Sequence, residues 1–359
     1  MSFYAFIRQI SIVIITGLLL FEILAMTTCS YDYKRNHFRY GYRNYDELQM
    51  SNEYRLNRSR DYLSQTNFFA FKEQSSHSAL SIGIVASDRQ DYFYLTQTLG
   101  HLVYELNLTV FPLLVCYTGR DSNAETDELR RKFRFTFLYS NRSFPSLPSG
   151  KSDARIEKES NDYWECLERT AKLVPSDFVL LLEDDAVADT STAGQLLSIV
   201  QQLQNTKKVD YIKLYHLWSL RKIPSFIQIT TACTFYTLVF FYFNSKLGFK
   251  FKVIGVLFAS TVLTVFGIKY HVELPSNLRF LLSPSAYLTM SESCCTPAVL
   301  YRMSSIGRMV SELKAVKTRL GYAKDSALDD SNFVSLSTER NIFVHIGYYS
   351  SVRDALVSV

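Results

Sequence analysis

Asp177-Phe178-Val179-Leu180-Leu181-Leu182-Glu183-Asp184-Asp185-Ala186 is the stretch of the chain that decides its fold. Its apolar run, Phe178 to Leu182, has the composition of a strand buried on both faces of a parallel sheet. The run ends in three consecutive carboxylates, which repel one another unless a cation or hydrogen-bond donors neutralise them. Open α/β sheets bind ligands at the carboxyl ends of their strands. This position therefore favours a divalent cation, Mn²⁺ or Mg²⁺, together with a diphosphate.

Strands and helices alternate on both sides of this stretch. The predicted strands are Ala79–Ser87, Val110–Tyr117, Phe133–Tyr139, Val209–His216, Ser285–Ser291, Ala298–Arg302 and Asn341–Gly347. The predicted helices are Asp91–Leu106, Ser152–Val174, Thr192–Leu203, Ser304–Leu320 and a short helix that follows the polar turn Gly321–Asp330. This alternation predicts βαβ units and a mostly parallel α/β sheet flanked by helices. A second interpretation of the three acids places them at the N-terminus of the helix that begins at Thr192.

Composition excludes several classes of protein. Charged residues make up 20% of the 359 residues and aromatic residues 14%, a balance too apolar for a disordered chain. The net charge of +5 is spread along the sequence without a basic run, so nucleic acid is not expected as a partner. The six cysteines fit no zinc-ligand spacing.

Three apolar runs predict that the protein is embedded in a membrane. Residues 10–26 resemble an uncleaved signal anchor, and two further runs flank a turn that contains Lys246, Lys250 and Lys252. These two runs predict a transmembrane hairpin with its lysine turn in the cytosol, the alternative being a buried core hairpin. The predicted segments are a cytosolic tail 1–9, an anchor 10–26, a luminal stem 27–78, an α/β domain 79–222, a transmembrane helix 223–243, a cytosolic turn 244–252, a second helix 253–270 and the rest of the domain 271–359.

Three glycosylation sequons, at Asn57, Asn107 and Asn141, favour a luminal location for the α/β domain. The cysteines fit an oxidising lumen. Cys116 ends a predicted strand and Cys166 lies in the helix before the acidic strand, so these two cysteines are placed to pair. Cys294 and Cys295 are adjacent, and either a vicinal disulfide or two free thiols fits the sequence.

The acidic strand end, a late His345 in the segment HIGYYSS and an apolar hairpin that interrupts the domain occur together in this chain. The first two features resemble GT-A glycosyltransferases, and HIGYYSS is similar to a segment of the N-acetylglucosaminyltransferases that branch N-glycans. All three together resemble the Golgi GPI-anchor GalNAc transferases of the post-GPI-attachment family. The resemblance covers nearly the whole chain after the stem. It implies a GT-A fold split by a transmembrane hairpin, in a multi-pass Golgi membrane protein with its catalytic domain in the lumen.

The same resemblance implies an enzyme that uses UDP-GalNAc as donor and Mn²⁺ or Mg²⁺ as cofactor. The acceptor would be a mannose of the GPI-anchor glycan on a glycolipid or protein, and the transfer would invert the sugar carbon. Two other functions remain open. One is an N-glycan-branching N-acetylglucosaminyltransferase of the same fold. The other is a non-catalytic multi-span scaffold whose acids bind structural Ca²⁺.

The candidate site residues follow from the sheet edge and from this resemblance. The candidate metal ligands are Asp184, Asp185 and His345. The candidate nucleotide-sugar-binding residues are Val85, Ser87, Asp88, Arg89, Glu183, Asp184, Thr296, Pro297 and Lys324. The candidate general bases are Asp325, Asp329 and Asp330, because inverting transfer needs a carboxylate within reach of the acceptor hydroxyl. Structural alternatives remain for several of them: a solvated charge for Arg89, a core histidine for His345, and helix caps or surface charges for the aspartates.

Overall fold

The computed structural model describes residues 45–65, 78–89, 92–106, 111–119, 123–132, 136–139, 152–206, 208–217, 279–280, 282–350 and 355–356. The three apolar runs and the sequons at Asn107 and Asn141 lie outside these residues. Of the helices within these ranges, none combines the length and the apolar character needed to cross a bilayer. The chain divides into two compact units, Met1–Arg39 with Arg221–Pro284, and Tyr40–Leu220 with Ser285–Val359. The elements below belong to the second unit.

Seven helices and twelve strands make up this described part of the second unit. The helices are α1 (Tyr45–Gln65), α2 (Tyr94–Leu106), α3 (Ala124–Lys132), α4 (Ser152–Ala171), α5 (Thr192–Gln204), α6 (Met303–Lys314) and α7 (Lys324–Asp329). The strands are β1 (Ser78–Ala86), β2 (Leu113–Tyr117), β3 (Thr136–Tyr139), β4 (Ser176–Glu183), β5 (Ala186–Ala188), β6 (Tyr211–Lys213), β7 (Leu288–Met290), β8 (Ala298–Arg302), β9 (Ser335–Thr338), β10 (Phe343–His345), β11 (Tyr349–Ser350) and β12 (Ala355–Leu356).

Eight of these strands form one sheet in the order β3-β2-β1-β4-β8-β6-β9-β7. Strands β3, β2, β1 and β4 are parallel to one another. Strand β8 is antiparallel to both β4 and β6, and β9 is parallel to β6. The edge strand β7 is antiparallel to β9. Only β8 and β7 therefore run against the common direction, and the predicted mostly parallel α/β fold is confirmed.

Strand β4 lies near the middle of the sheet because its side chains are apolar on both faces. Phe178, Leu180 and Leu182 pack into one core, which also contains residues of α2 and α5. Val179 and Leu181 pack into a second core on the other face, with residues of α4 and α6. All five side chains are 0–1% exposed. Burial of side chains of this size contributes about 1.5–3 kcal/mol each, so β4 is a principal source of the sheet's stability.

Within the predicted stem the structure describes residues 45–65, which form one long helix, α1, and this helix packs against α2. The Gln97 side chain of α2 accepts a hydrogen bond from Arg55 (3.1 Å) and donates one to Asn52 (2.8 Å). A Cβ atom added at Gly100 would lie 2.7 Å from the Cα of Ser59, so the two helices approach closely. Many of these contacts are polar, and for that reason apolar periodicity did not reveal the helix.

The remaining predicted elements are found with shifted ends, and one pairing was not predicted. The strand predicted at Val209–His216 is ordered as a strand only over β6, and the helix predicted at Ser304–Leu320 ends at Lys314. The short strands β5 and β10 form an antiparallel pair beside the main sheet. Because β5 separates the three acids from α5, the acids do not cap that helix.

Candidate active site

The acids leave the sheet at the edge where β1 and β4 end and β8 begins. Val85 lies opposite Glu183 in the parallel register. The Asp184 N–H donates to the carbonyl of Val85 (3.0 Å), and the Glu183 N–H donates to the carbonyl of Pro297 (2.8 Å). The acids therefore lie between the loop after β1 and the turn before β8, both of which the sequence predicted as nucleotide-sugar contacts.

Asp184 holds the loop after β1. Its carboxylate is 1% exposed; Oδ2 accepts a hydrogen bond from the Ser87 N–H (2.9 Å), and Oδ1 forms an ion pair with Arg89 Nη2 (3.0 Å). Thr98 donates to its carbonyl (2.7 Å). Burial raises the pKa of Asp184 to about 7, although the Arg89 charge opposes this rise. Neither Asp184 Oδ1 nor Asp185 Oδ1 accepts a hydrogen bond within the described residues, but Asp184 Oδ1 has the ion pair with Arg89, so both oxygens of Asp184 have a partner.

Asp185 is the more suitable metal ligand. Its side chain is 1% exposed, and Oδ2 lies 3.3 Å from Arg89 Nη2 and 3.3 Å from His345 Nε2. Its other oxygen, Oδ1, is buried and accepts no hydrogen bond from the described part of the chain. Burial alone would raise the pKa of Asp185, but the charges of His345 and Arg89 hold it below its ordinary value. A buried, ionised oxygen without a donor calls for a cation.

His345 reaches Asp185 through the pairing of β10 with β5, which places it opposite Ala186. The following Ile346 N–H donates to the carbonyl of Asp185 (2.9 Å). Burial lowers the pKa of His345, but the Asp185 carboxylate outweighs burial and raises it above its ordinary value. The ring lies 5.7 Å from that of Tyr215 and is 21% exposed. His345 is therefore a partner of the acids and not an isolated core histidine.

Gly347 allows the chain to approach the acids closely. A Cβ atom added at this buried position would lie 2.0 Å from Asp185 Oδ2, well inside contact distance. Any other residue would have to displace the Asp185 carboxylate or the backbone that carries His345.

The residues at this edge fit a divalent cation that arrives with its substrate. Within the described residues, no three His, Cys, Asp or Glu side chains converge as a complete metal site. Asp185 and His345 offer two ligands, one of them the buried Oδ1 without a donor. Mg²⁺ is usually bound by one or two protein carboxylates together with substrate phosphates and water. The protein thus supplies part of a coordination shell that a diphosphate would complete.

Glu183 and Lys324 form the second charged pair of the site. Glu183 Oε1 accepts a hydrogen bond from Thr296 Oγ1 (3.1 Å) and lies 3.5 Å from Lys324 Nζ. Lys324 also pairs with Glu159 and lies over the ring of Tyr163. Burial would lower the pKa of Lys324, but Glu159 and Glu183 raise it above its ordinary value. The site therefore holds two cations beside its acids: Arg89, which is partly buried, and Lys324, which is buried.

The three candidate bases differ in their surroundings. Both carboxylate oxygens of Asp329 already have partners within the protein: one pairs with buried Lys213 and the other accepts a hydrogen bond from the Cys294 N–H (2.6 Å). Asp330 is exposed at the end of α7. Asp325 lies in the first turn of α7 directly after Lys324 and is partly exposed. Asp325 is thus the candidate base that combines access to solvent with proximity to the charged pair.

The other predicted residues are placed as follows. Asp88 is exposed on the loop after β1, and Thr296 and Pro297 are buried directly before β8. The structure contains the two disulfides Cys116–Cys166 and Cys294–Cys295, the pairs named from the sequence. Asn57 is exposed on α1.

Several residues of the site carried no recognisable sequence signal. Thr98, Glu159 and Tyr94, whose hydroxyl accepts from the Tyr348 N–H (3.1 Å), are single polar residues within amphipathic helices. Lys213 was the exception that could have been found, because a charge within the apolar run YIKLY of a buried strand needs a partner.

Comparison with known proteins gives a match to one family model and similarity to several solved structures. Residues 80–345, which begin in β1 and end at His345, match a family model described as "GPI-N-acetylgalactosamine transferase PGAP4". Among solved structures, the chain is similar to S. aureus TarS 1–349 (12% identity, 73% of this chain, TM-score 0.33), of which it spans 59%. It is also similar to the S. cerevisiae mannosyltransferase Ktr4p in complex with GDP (12% identity, 91% of this chain and 86% of that chain, TM-score 0.33). A third is M. tuberculosis glucosyl-3-phosphoglycerate synthase (10% identity, 77% and 74%, TM-score 0.28).

Proposed function

The chain belongs to the GPI-N-acetylgalactosamine transferase family, and on this premise we propose that it transfers GalNAc from UDP-GalNAc to a mannose of the GPI-anchor glycan. We further propose that the domain is a metal-dependent GT-A glycosyltransferase that inverts the sugar carbon. The observation that carries the proposal is the carboxylate of Asp185, buried at the end of β4 with one oxygen lacking a donor and the other facing His345 and Arg89.

The donor would bind along the edge of the sheet. Asp185 and His345 would hold the divalent cation, and the side chains of Arg89 and Lys324 would meet the phosphates. The backbone of Val85 and Ser87, at the end of β1, lies where α/β sheets bind nucleotides. When bound, the cation would supply positive charge that offsets the charge developing on the diphosphate.

The transfer forms one bond and breaks another. The acceptor hydroxyl oxygen attacks the anomeric carbon, and the bond from that carbon to the diphosphate breaks, so that its electron pair leaves with UDP. The proton of the hydroxyl passes to a carboxylate base, for which Asp325 is our choice. Lys324, next to Asp325 in α7, would stay charged beside the leaving group. Attack from the side opposite the diphosphate inverts the sugar carbon.

We also propose that the protein is a multi-pass Golgi membrane protein with its catalytic domain in the lumen. The support is the apolar runs 10–26, 223–243 and 253–270, the lysine turn between the last two, and the three sequons. A protein anchored in the bilayer suits an acceptor that is itself anchored in the bilayer.

The test is donor hydrolysis by the full chain purified in detergent, with UDP-GalNAc, UDP-GlcNAc, UDP-galactose and UDP-glucose each supplied with Mn²⁺. We expect UDP-GalNAc to be hydrolysed fastest and a GPI glycolipid to accept the sugar. A preference for UDP-GlcNAc would favour an N-glycan-branching enzyme. A folded protein that hydrolyses no UDP-sugar would overturn the proposal in favour of a scaffold.

A further inference from the structure

Lys213 is a fully buried lysine that the proposed chemistry does not use. It lies at the end of β6 with 0% of its side chain exposed. Its ammonium donates to the carbonyls of Glu292 (3.2 Å) and Cys294 (2.8 Å) and to the carboxylate of Asp329. An ammonium has three donors, and each has an acceptor here. Two of the three acceptors belong to the turn that precedes β8.

Asp329 binds the same turn from a different element. It ends α7, and its second oxygen accepts a hydrogen bond from the Cys294 N–H (2.6 Å). The Lys213–Asp329 ion pair therefore binds Cys294 at both of its backbone polar groups: Lys213 donates to the carbonyl, and Asp329 accepts from the N–H. Burial lowers the pKa of Lys213, and Asp329 opposes this effect.

The turn that the pair holds has an unfavourable backbone. Cys294 has a φ of 105° and Cys295 a φ of 70°, in the left-handed region that residues with a side chain rarely adopt. Such conformations persist when the surrounding structure determines them at several points, and they concentrate at functional sites. The Cys294–Cys295 disulfide and the Lys213–Asp329 pair supply these points.

The turn leads directly into the donor edge. Thr296, the next residue, donates its hydroxyl hydrogen bond to Glu183 Oε1 (3.1 Å), and the carbonyl of Pro297 accepts from the Glu183 N–H (2.8 Å). The position of the turn thus sets the hydrogen bonds of Glu183 with Thr296 and Pro297, the two residues directly before β8. A buried ion pair is weak support for stability, because apolar residues of similar size often serve as well. The hydrogen bonds of this ion pair to the backbone of Cys294 indicate a role in positioning the turn and not in stability.

We propose that Lys213 and Asp329 are positioning residues for the donor site, which act by fixing the Cys294–Cys295 turn so that Thr296 holds Glu183 in place for the nucleotide sugar. This inference rests on the proposed function, since it assumes that Glu183 meets the nucleotide. It assigns Asp329 to positioning and removes it from the candidate bases.

The test is a double-mutant cycle read out by the dissociation constant of UDP in the presence of Mn²⁺, measured by calorimetry on the full chain. One variant is Lys213→Met with Asp329→Leu, which removes both charges and leaves neither unpaired. The second is Thr296→Val, and the third combines all three substitutions. We expect each of the first two to weaken UDP binding about tenfold, the scale of one hydrogen bond to a charged group. If the pair acts through Thr296, the combined variant should bind no more weakly than Thr296→Val alone.

The control is Leu313→Ala in α6. The Leu313 side chain is buried in the core, so the substitution creates a cavity there. It should lower the unfolding temperature without changing UDP affinity. Additive effects in the cycle, or unchanged UDP affinity in the charge-free pair, would refute positioning through Thr296. If the Lys213→Met, Asp329→Leu variant fails to fold, Asp329→Asn takes its place in the cycle with Thr296→Val, and additivity of the two effects on UDP affinity is read in the same way. A parent protein that binds no UDP would instead refute the proposed function.

Discussion

At the scale of single residues, the carboxylate of Asp185 is the point at which the site converges. His345 and Arg89 face one of its oxygens, the other has no donor within the described residues, and Gly347 lies against it. Each neighbour suits this carboxylate. Arg89 is a cation, the His345 ring is a cation when protonated and a metal ligand when neutral, and Gly347 has no side chain to displace the carboxylate. Two substitutions test this arrangement.

Asp185→Asn should lower UDP-GalNAc hydrolysis about a hundredfold or more, because an amide is a poor ligand for a hard cation. The unfolding temperature should also fall, because the variant loses the ionised partner of His345 and Arg89, whose charges hold the pKa of Asp185 below its ordinary value. Mn²⁺ binding, followed by electron paramagnetic resonance, should be lost in parallel. In the parent, EDTA should abolish activity and added Mn²⁺ should restore it. Retention of Mn²⁺ binding in the variant would show that Asp185 is not a ligand.

Gly347→Ala should also disrupt the site, because its methyl group would lie 2.0 Å from Asp185 Oδ2. We expect weaker Mn²⁺ binding and a lower unfolding temperature. The matched control is Gly307→Ala in α6, where an added Cβ atom would meet nothing within 4 Å. That change should stabilise the protein by about 0.5–1 kcal/mol, since alanine is the better helix former. Equal effects at the two glycines would contradict the close approach at Gly347.

At the scale of secondary-structure elements, the site is built by helices and short strands that hold the ends of β1 and β4. Helix α2 contributes Thr98 to the Asp184 carbonyl, and its first turn is capped from α3, where Glu125 accepts a hydrogen bond from the Thr96 N–H (2.7 Å). The Glu125 side chain is 8% exposed, so ionisation of its carboxyl group is costly. It gives the element a measurable pH dependence.

Burial raises the pKa of Glu125 to about 7 in the folded protein, above its value in the unfolded chain. The fold therefore favours the protonated form, and the parent loses stability as pH rises from about 4.5 to 7, by up to about 3 kcal/mol. Glu125→Gln keeps an acceptor for Thr96 and cannot ionise. Its unfolding temperature relative to the parent should be several degrees higher at pH 8 than at pH 5.

The control for this prediction is Glu128→Gln on the same helix. A hydrogen bond from Lys132 lowers the pKa of Glu128, so its ionised form favours folding and the variant should gain nothing at pH 8. An advantage of Glu125→Gln that did not grow between pH 5 and pH 8 would contradict the raised pKa.

The elements of the site were predictable to different degrees. Strand β4 and its acids were predicted because a fully apolar run followed by carboxylates has few structural explanations, and His345 because its segment resembles a known one. Two features could not be predicted. One is the close approach of Gly347 to Asp185, and the other is the pair of hydrogen bonds from Lys213 to the turn at Cys294. Each depends on a register between elements far apart in the sequence, and neither residue type indicates its partner. Helix α1 was missed because its contacts with α2 are largely polar.

At the scale of the whole molecule, the strands on either side of the predicted hairpin belong to one sheet. Strand β6 precedes residues 223–270 and β7 follows them, and only β9 lies between the two strands. Adjacent strands lie about 4.8 Å apart, so the two ends of the interrupted domain return to neighbouring positions. The interruption is therefore compatible with a closed fold.

Replacement of residues 223–270 by a Gly/Ser linker should leave UDP binding within about threefold of the parent, because closure of a flexible loop costs little more as it lengthens. The residues assigned to the donor lie outside the replaced part. Transfer to a GPI glycolipid in vesicles should fall steeply, since the site would lose its local concentration at the bilayer. Transfer to a water-soluble glycan acceptor is the internal control and should persist. Unchanged glycolipid transfer would show that the hairpin is only an additional anchor.

The position of β4 between β1 and β8 also sets the order in which the protein can be completed during synthesis. Strand β4 finds its first neighbour, β1, among residues already made, but its second neighbour, β8, is encoded after the predicted hairpin. At ordinary rates of translation the nascent half-sheet would wait on the order of ten seconds with the backbone of its most apolar strand unpaired along one edge. An unpaired apolar edge of this kind is a template for aggregation. The most hazardous step in the synthesis of this protein is therefore the interval between the two halves of the sheet. In the proposed luminal location, a chaperone would have to cover β4 until β8 has been made.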